Sequence, residues 1–544
     1  MKTIIIGIDG GTWDVMLPLI KKGELPNIAR LMETGVWGNL HSTYPPITIP
    51  AWVSCVTGVN PGKLGVFDWI NNPHENYEGH LVNPTEVTIK RIWDILGEQG
   101  KKIILVTVPF THPPSPVNGI VVSSARPRQP QVILTYPKEL IEEVKKITGI
   151  YDLFQFKKEL GIKDQAHQMQ GEVYLERIFK IHMFALQKLE KLLFHVLEKY
   201  PWDFFMTVFS STDVIQHHFW GYQDPTHPLF TDKMNKKFGN VIEVIYRKTD
   251  EIIGNMLKII SVENVNIFIV SDHGFGPYHK NFYVNHWLIQ RGWLKLKRNL
   301  RKIGFKFISF RNKLKIPVPW LQSKPWKKLI DWNTTQAYAH FHGGININLK
   351  GREPSGIVSK KEAPKILEQI KRELFELKDP QTEEKIVKEV KLREEIYWGD
   401  YIEKAPDLIF FFKDTRYFPK KEIFVKELSA IFKPVNYKDI ITGHHYSAFN
   451  GIFVLNSPFI KPGTQVNNAH IIDITPTALY LMGLPVPEEM DGRVWLEVVK
   501  PEFQKKYPLK GIKYNLYKEE KEVKFSVEEE EKIKKQLKDM GYLG

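Results

Sequence analysis

The reactive side chains of this chain stand at the ends of apolar runs. Ser271-Asp272-His273-Gly274 follows the β-branched stretch Asn266 to Val270, so a carboxylate and an imidazole appear where a buried parallel strand would leave its sheet. Open α/β sheets place ligands at that edge. One acid with one histidine is half of a transition-metal site; by itself such a pair is more often ordinary loop polarity. Thr3 to Ile8 is a second run, and Asp9-Gly10-Gly11 follows it, an acid beside glycines that let the backbone turn tightly. Trp202 to Phe209 is a third, followed by Asp213 and His217. One helical turn would set those two on one face, within reach of one ion. His218 would point elsewhere and is read as supporting. A fourth loop, Thr442-Gly-His-His-Tyr446, precedes a strand expected over Gly451 to Leu455 and offers His444 or His445.

A hydroxyl joins this set. In Tyr44-Pro-Pro-Ile-Thr48-Ile-Pro50 the prolines force an extended approach, Pro50 suits the first turn of a helix and Gly58 its end, which puts Thr48 near the N-cap. A threonine there ordinarily only caps. It becomes a nucleophile where a metal lowers its pKa, and the positive end of the helix dipole would favour both an alkoxide and an attacked phosphoryl group. Asp9, Asp213, His217, Asp272, His273 and one of His444 or His445, with Thr48, suit two divalent ions, most naturally zinc, each with an open position. Two metals about 4 Å apart clamp an in-line displacement at phosphorus.

The elements that must position these residues alternate along the chain. Helices are expected over Pro26 to Thr34 with Gly35 as cap, Gln168 to Tyr200, Lys236 to Ile260 and Asn281 to Trp293; strands are expected over Lys101 to Val108 and Gly119 to Ser123. Asp331 to Phe412 reads as a small α/β unit with strand Gly344 to Leu349, helix Lys361 to Leu377 and strand Asp407 to Phe412. Asp473-Ile-Thr-Pro-Thr477 opens a helix that Gly483 ends, and Ser526-Val-Glu-Glu529 is a capping box opening a charged terminal helix. The expected fold is α/β: a central, mostly parallel sheet flanked by helices as a three-layer core, with a small α/β insertion and a basic amphipathic excursion. The expected divisions are 1–290 and 436–498 for the core, 291–330 for the basic insertion, 331–435 for the small subdomain and 499–544 for a charged helical tail.

Composition narrows the class. With 544 residues, 42% hydrophobic and 12% aromatic, the chain can bury a large core. The single cysteine, Cys55, excludes a disulfide framework within the chain and points to a reducing compartment. Met1 to Ile8 holds only a short apolar run, too little for a signal peptide or a membrane span, so a cytoplasmic location is expected. Net charge is +14, and Arg291 to Ile330 alone holds thirteen Lys or Arg and no acid. The rest is near neutral, so the charge reads as a local basic device rather than a general polyanion surface, and no specific nucleic-acid binding is expected. Interleaved with Trp293, Phe305, Phe307, Phe310, Trp320 and Trp326, that segment has the composition of an element that contacts an anionic membrane surface, or of a solvated surface excursion.

These motifs resemble the alkaline-phosphatase superfamily and, within it, the type I phosphodiesterase and nucleotide pyrophosphatase branch. The resemblance is carried by Ile8-Asp9-Gly10, Pro45-Pro-Ile-Thr48-Ile-Pro50 with Thr57-Gly58, Asp213 through His217, Ser271-Asp-His-Gly274, Gly443-His-His445, and Asp473-Ile-Thr-Pro-Thr477 with Met490-Asp-Gly492, in family order. It implies one zinc held by Asp9, Thr48, Asp272 and His273, and a second held by Asp213, His217 and His445, the later histidine matching a Gly-x-His pattern. It also implies that Thr48, deprotonated on its metal, attacks phosphorus to give a phosphothreonine. Hydroxide on the second ion would then hydrolyse that intermediate, with net retention and no organic cofactor.

The departures define the alternatives. Nucleotide-cleaving members carry a His-Gly-Ile-x-x-Asn pattern whose asparagine holds a phosphoryl oxygen; aligned on Gly65, the position here is Trp69, which bears on nucleotide specificity and not on metal chemistry. Cys55-Val-Thr-Gly58 lacks the Cys-x-Pro-x-Arg of sulfatases, and Thr48 stands where cofactor-independent phosphoglycerate mutases use serine. The leading expectation is a two-metal phosphodiesterase or nucleotide pyrophosphatase. The others are a phosphomonoesterase or phosphotransferase acting on a membrane lipid-linked phosphate, and a non-catalytic metal-binding relative.

Overall fold

Three apolar runs build the centre of the molecule. The strands Lys2–Ile8, Phe204–Phe209 and Val265–Val270 are buried almost throughout, and their β-branched and aromatic side chains fill both faces of a sheet with no solvated side. The computed structural model describes residues 1–71, 73–123, 135–149, 171–260, 262–298, 326–423, 429–436, 441–518, 530–531 and 534. These three strands are adjacent within an eight-stranded sheet whose spatial order is Val36–His41, Asn450–Asn456, Val265–Val270, Lys2–Ile8, Phe204–Phe209, Ile103–Val106, Gly119–Val122 and Thr135–Tyr136. The five strands from Val265–Val270 to Gly119–Val122 run parallel; Asn450–Asn456 is antiparallel to both its neighbours and Thr135–Tyr136 to its one.

Register decides where the strands deliver their loops. Ile8 lies beside Phe209 and Gly7 beside Val270, so the chain leaves three neighbouring strands at one carboxyl edge. Helices cover both faces. Ile4, Ile6 and Ile8 enter a hydrophobic cluster with side chains of Trp13–Lys21, Pro26–Glu33, Glu172–Lys199, Ser211–Gln223 and Val241–Ile259. Gly7 faces the other way: a Cβ there would lie 2.5 Å from Trp52 Cη2, so the helix Thr48–Thr57 rests directly on the central strand. This is the three-layer α/β arrangement expected from the runs.

Two compact units are present. The first comprises Met1–Leu64, Asn83–Pro277 and Asn436–Phe525, and the second Gly65–Val82, Tyr278–Val435 and Ser526–Gly544. The second holds an antiparallel sheet ordered Ala337–Ala339, Gly344–Ile347, Leu408–Phe412, Val387–Leu392, with the helix Ala363–Phe375.

Three expected elements differ in detail. Lys236 to Ile260 is two helices, Asp232–Phe238 and Val241–Ile259, separated by Gly239 and Asn240, both poor helix formers. Asn281 to Trp293 starts as the strand Lys280–Tyr283 and becomes helical only over Val284–Arg291, because Phe282 pairs with Pro419 on one side and Phe432 on the other. Pro26–Glu33 is capped by Thr34 and not by Gly35. Residues 299–325 of the basic segment and the capping box at 526–529 lie outside the described residues. Among the described residues no helix is long and apolar enough to cross a membrane.

Candidate metal and phosphoryl site

The first unit brings the four loops and the threonine together. Asp9 follows its strand directly, and Gly10 turns with φ 64°, a left-handed value that glycine adopts without a Cβ penalty. A Cβ at Gly10 would stand 3.1 Å from Asp213 Oδ1, so the turn also makes room for that carboxylate. Asp213 lies in the first turn of Ser211–Gln223 and His217 one turn later, with His217 Nε2 3.5 Å from Asp213 Oδ2. Asp272 and His273 leave the neighbouring strand, and Asp272 Oδ1 accepts the Gly10 N–H at 3.1 Å.

All three histidines are anchored in the same manner. Nδ1–H of His217 donates to Gly443 O at 2.8 Å, that of His273 to Gly274 O at 2.9 Å and that of His445 to Pro46 O at 2.8 Å. A ring held through Nδ1 presents Nε2, the arrangement that orients histidine ligands of metals. His273 and His445 stack with ring centroids 3.7 Å apart, while Phe275 packs edge-on against His217 at 4.8 Å. His444 is turned away: its Nδ1 accepts the Tyr446 N–H at 2.9 Å, and its backbone pairs with Gly276. His218 sits against Tyr174 at 5.7 Å.

Thr48 is the first residue of its helix; the cap position is Ile47, with no side-chain capping bond. Thr48 Oγ1 lies 3.4 Å from His273 Nε2. The first-turn amides of an α-helix have no intrahelical acceptor, so Thr48 stands at the positive end of the macrodipole.

The donor set fits divalent cations. Asp213, His217 and His445 offer ligand atoms within 4.8 Å of one another, and so do Asp9, Asp213 and His273; Asp213 thus stands between two ligand groups. Asp272 backs the second, with Oδ2 3.1 Å from His273 Nε2. Asp9 Oδ1 and Asp272 Oδ2 are buried and accept no hydrogen bond, which is costly for a carboxylate unless a cation is coordinated. Burial, then Asp272 and Asp213, push the Asp9 carboxyl well above the usual range. Burial opposes charge on His273, but Asp272 and then Asp213 overcome it and raise that imidazole. Burial, then His273 and His217, hold His445 well below its ordinary value, which keeps its Nε2 lone pair available. The pocket prefers positive charge, and a cation bound there would be met by imidazole nitrogens and carboxylate oxygens.

Four supporting residues were not legible as site residues. Ser42 Oγ donates to Asp272 O; Thr212 Oγ1 donates to Asp9 O at 2.6 Å. Gln216 Nε2 donates to Gly10 O at 2.8 Å, and Trp52 Nε1 to Asp9 Oδ2 at 3.4 Å. For Gln216 and Thr212 a signal existed, since each precedes a ligand candidate on the same helix turns; Ser42 and Trp52 act through long-range contacts that no local pattern announces.

Comparison with known proteins places the chain. The phosphonoacetate hydrolase of Sinorhizobium meliloti 1021, solved with phosphonoformate, has a similar structure, with a TM-score of 0.52 and 16% identity over 88% of this chain and 95% of that one. Human ectonucleotide pyrophosphatase/phosphodiesterase 5 matches with a TM-score of 0.49 and 13% identity over 90% of this chain and 97% of that one. At such identity the first likeness is one of fold. No curated protein sequence matches. A family model described as type I phosphodiesterase / nucleotide pyrophosphatase matches residues 3–426, and the chain belongs to that family.

Proposed function

We propose that the protein is a metal-dependent hydrolase of phosphate esters, a phosphodiesterase or nucleotide pyrophosphatase, acting through a phosphothreonine at a two-zinc site. One observation carries the reading: a threonine at the first position of a helix, 3.4 Å from His273 Nε2, beside two ligand groups that share Asp213. Asp213, His217 and His445 would hold one ion, and Asp9, Asp272, His273 and Thr48 the other. When bound, such ions lower the pKa of a coordinated hydroxyl and neutralise phosphoryl oxygens.

The chain's own residues supply the rest. Thr48 Oγ, its hydroxyl proton passing to solvent, forms the new bond to phosphorus as the ester bond to the leaving group breaks, and the released oxygen takes a proton from solvent. The helix N-terminus stabilises the anionic phosphoryl group during that transfer. Water then displaces Thr48 Oγ from phosphorus, restoring the hydroxyl and releasing the phosphate product. The Nδ1–H anchors keep the imidazoles in one orientation through both steps.

The test is turnover of bis-p-nitrophenyl phosphate against p-nitrophenyl phosphate with zinc added. Diester preference is expected; a strong monoester preference would replace this reading by a phosphatase or phosphotransferase.

A further inference from the structure

One hydroxyl in the apolar layer of the first unit is not explained by packing. Tyr246 stands on the helix Val241–Ile259, is 1% exposed and belongs to the same hydrophobic cluster as Ile215, Phe219, Ile242 and Ile245. A phenylalanine would fill that space without a polar atom to satisfy, so the phenol has a polar task there. Its Oη–H donates to Gln216 Oε1 at 3.2 Å.

Gln216 links that layer to the ligand groups. It lies between Asp213 and His217 on their helix and is 0% exposed, and its Nε2 donates to Gly10 O at 2.8 Å. The other side of the glycine serves the second group, for Gly10 N–H donates to Asp272 Oδ1 at 3.1 Å. A Cβ at Gly10 would stand 3.1 Å from Asp213 Oδ1 and 3.2 Å from Gln216 Nε2, so the backbone and the helix are in close contact. Across Gly10, then, Asp9 and Asp272 face the helix that carries Asp213 and His217. Only one orientation of the Gln216 amide suits this place: reversed, its oxygen would meet the Gly10 oxygen. That orientation leaves Oε1 needing a donor, and Tyr246 supplies it. Without the hydroxyl a buried amide oxygen loses its partner, and the bond to Gly10 is no longer held in one direction.

We infer that Tyr246 is a positioning residue that acts through the Gln216 amide to fix the spacing of the two ligand groups. The inference rests on the reading of those groups as a two-metal site and does not depend on the role given to Thr48. The test is calorimetric titration of zinc into the full chain freed of metal with EDTA, comparing wild type, Tyr246→Phe, Gln216→Leu and the double variant, with a thermal melt of each. Wild type is expected to take up two zinc ions per chain. Tyr246→Phe removes one oxygen and keeps the ring, so it should melt as cooperatively as wild type while at least one of the two binding steps weakens by about tenfold or more, the size of effect typical of a residue that orients metal ligands. The double variant should bind no more weakly than Gln216→Leu, because a hydroxyl that acts through the amide has nothing left to act on; a phenol that served only the packing would weaken binding in both backgrounds or in neither. Two steps as tight in Tyr246→Phe as in wild type, or an added loss in the double variant, overturn the role of Tyr246 and leave the two-metal reading standing. Failure of wild type to take up two ions removes that reading and this inference with it.

Discussion

Two clusters of buried acids, one in each unit, behave in opposite ways. In the second unit Asp407 accepts Arg352 Nη1 at 2.7 Å, Arg352 Nη2 at 2.6 Å and the Ile347 N–H at 2.7 Å, with Arg393 Nη1 at 3.4 Å. Burial opposes its charge, yet Arg352 and then Arg393 hold its pKa below the usual carboxylate value. In the first unit Asp9 is as deeply buried, but its charged neighbours include Asp272 and Asp213, and its pKa is driven well up. The residue type and the burial are the same; the partners differ. A buried acid ringed by guanidinium groups is complete as folded, whereas acids gathered around imidazole Nε2 atoms are complete only with cations.

That contrast can be broken or sharpened experimentally. The largest effect is expected from Thr48→Ala, which should lower diester turnover by about 10⁴-fold or more while leaving Tm nearly unchanged; an undiminished rate would rule out the covalent route. Asp213→Asn removes the acid common to both ligand groups. It should cost more than the roughly 10–100-fold typical of a supporting partner and lower metal content, yet the metal-free variant should melt higher than metal-free wild type, because repulsion with Asp9 is relieved.

Asp407→Asn should move stability the other way, by about 3–5 kcal/mol in denaturant unfolding, since it leaves Arg352 and Arg393 short of a counter-charge. A gain in stability there would mean that the two clusters do not differ as described. The smallest effect concerns acid stability. Burial opposes ionisation of Asp379, but Lys280 Nζ at 2.5 Å and Tyr417 Oη at 2.7 Å outweigh it and lower its pKa to about 2. A carboxyl lowered on folding stabilises above its unfolded pKa of about 3.9 and loses that contribution as pH falls toward the folded value. Asp379→Asn should therefore cost about 1–2 kcal/mol near neutrality and flatten the stability profile between about pH 4 and 2; an unchanged acid limb would refute the assignment. Asp9 has the opposite sign: with its folded pKa raised, its contribution in the metal-free protein becomes more favourable as pH falls through that value.

Much of this was readable before any coordinates. Uninterrupted β-branched and aromatic runs ending in Asp9, in Ser210 to Asp213 and in Asp272 marked buried parallel strands and their carboxyl ends, because a strand covered on both faces admits no polar alternation. The spacing of Asp213 and His217 foretold a shared helix face. Less readable were the places where pairing overrode propensity. Phe282 joined a strand within an expected helix, and Gly239 with Asn240 divided one expected helix into two.

The sequence by itself determined the inventory: three acids, their histidines and one threonine, each at the end of an element whose period was legible. Only the tertiary structure decided how they meet. It turned His445 inward through Pro46 O and His444 outward through the Tyr446 amide, set Asp213 between two ligand groups, and seated the Thr48 helix on Gly7 through Trp52. The physical reason is that a local pattern fixes which side of an element a residue leaves from. Which atoms come within a few ångströms depends on register between strands distant in sequence and on the packing of large side chains against small ones.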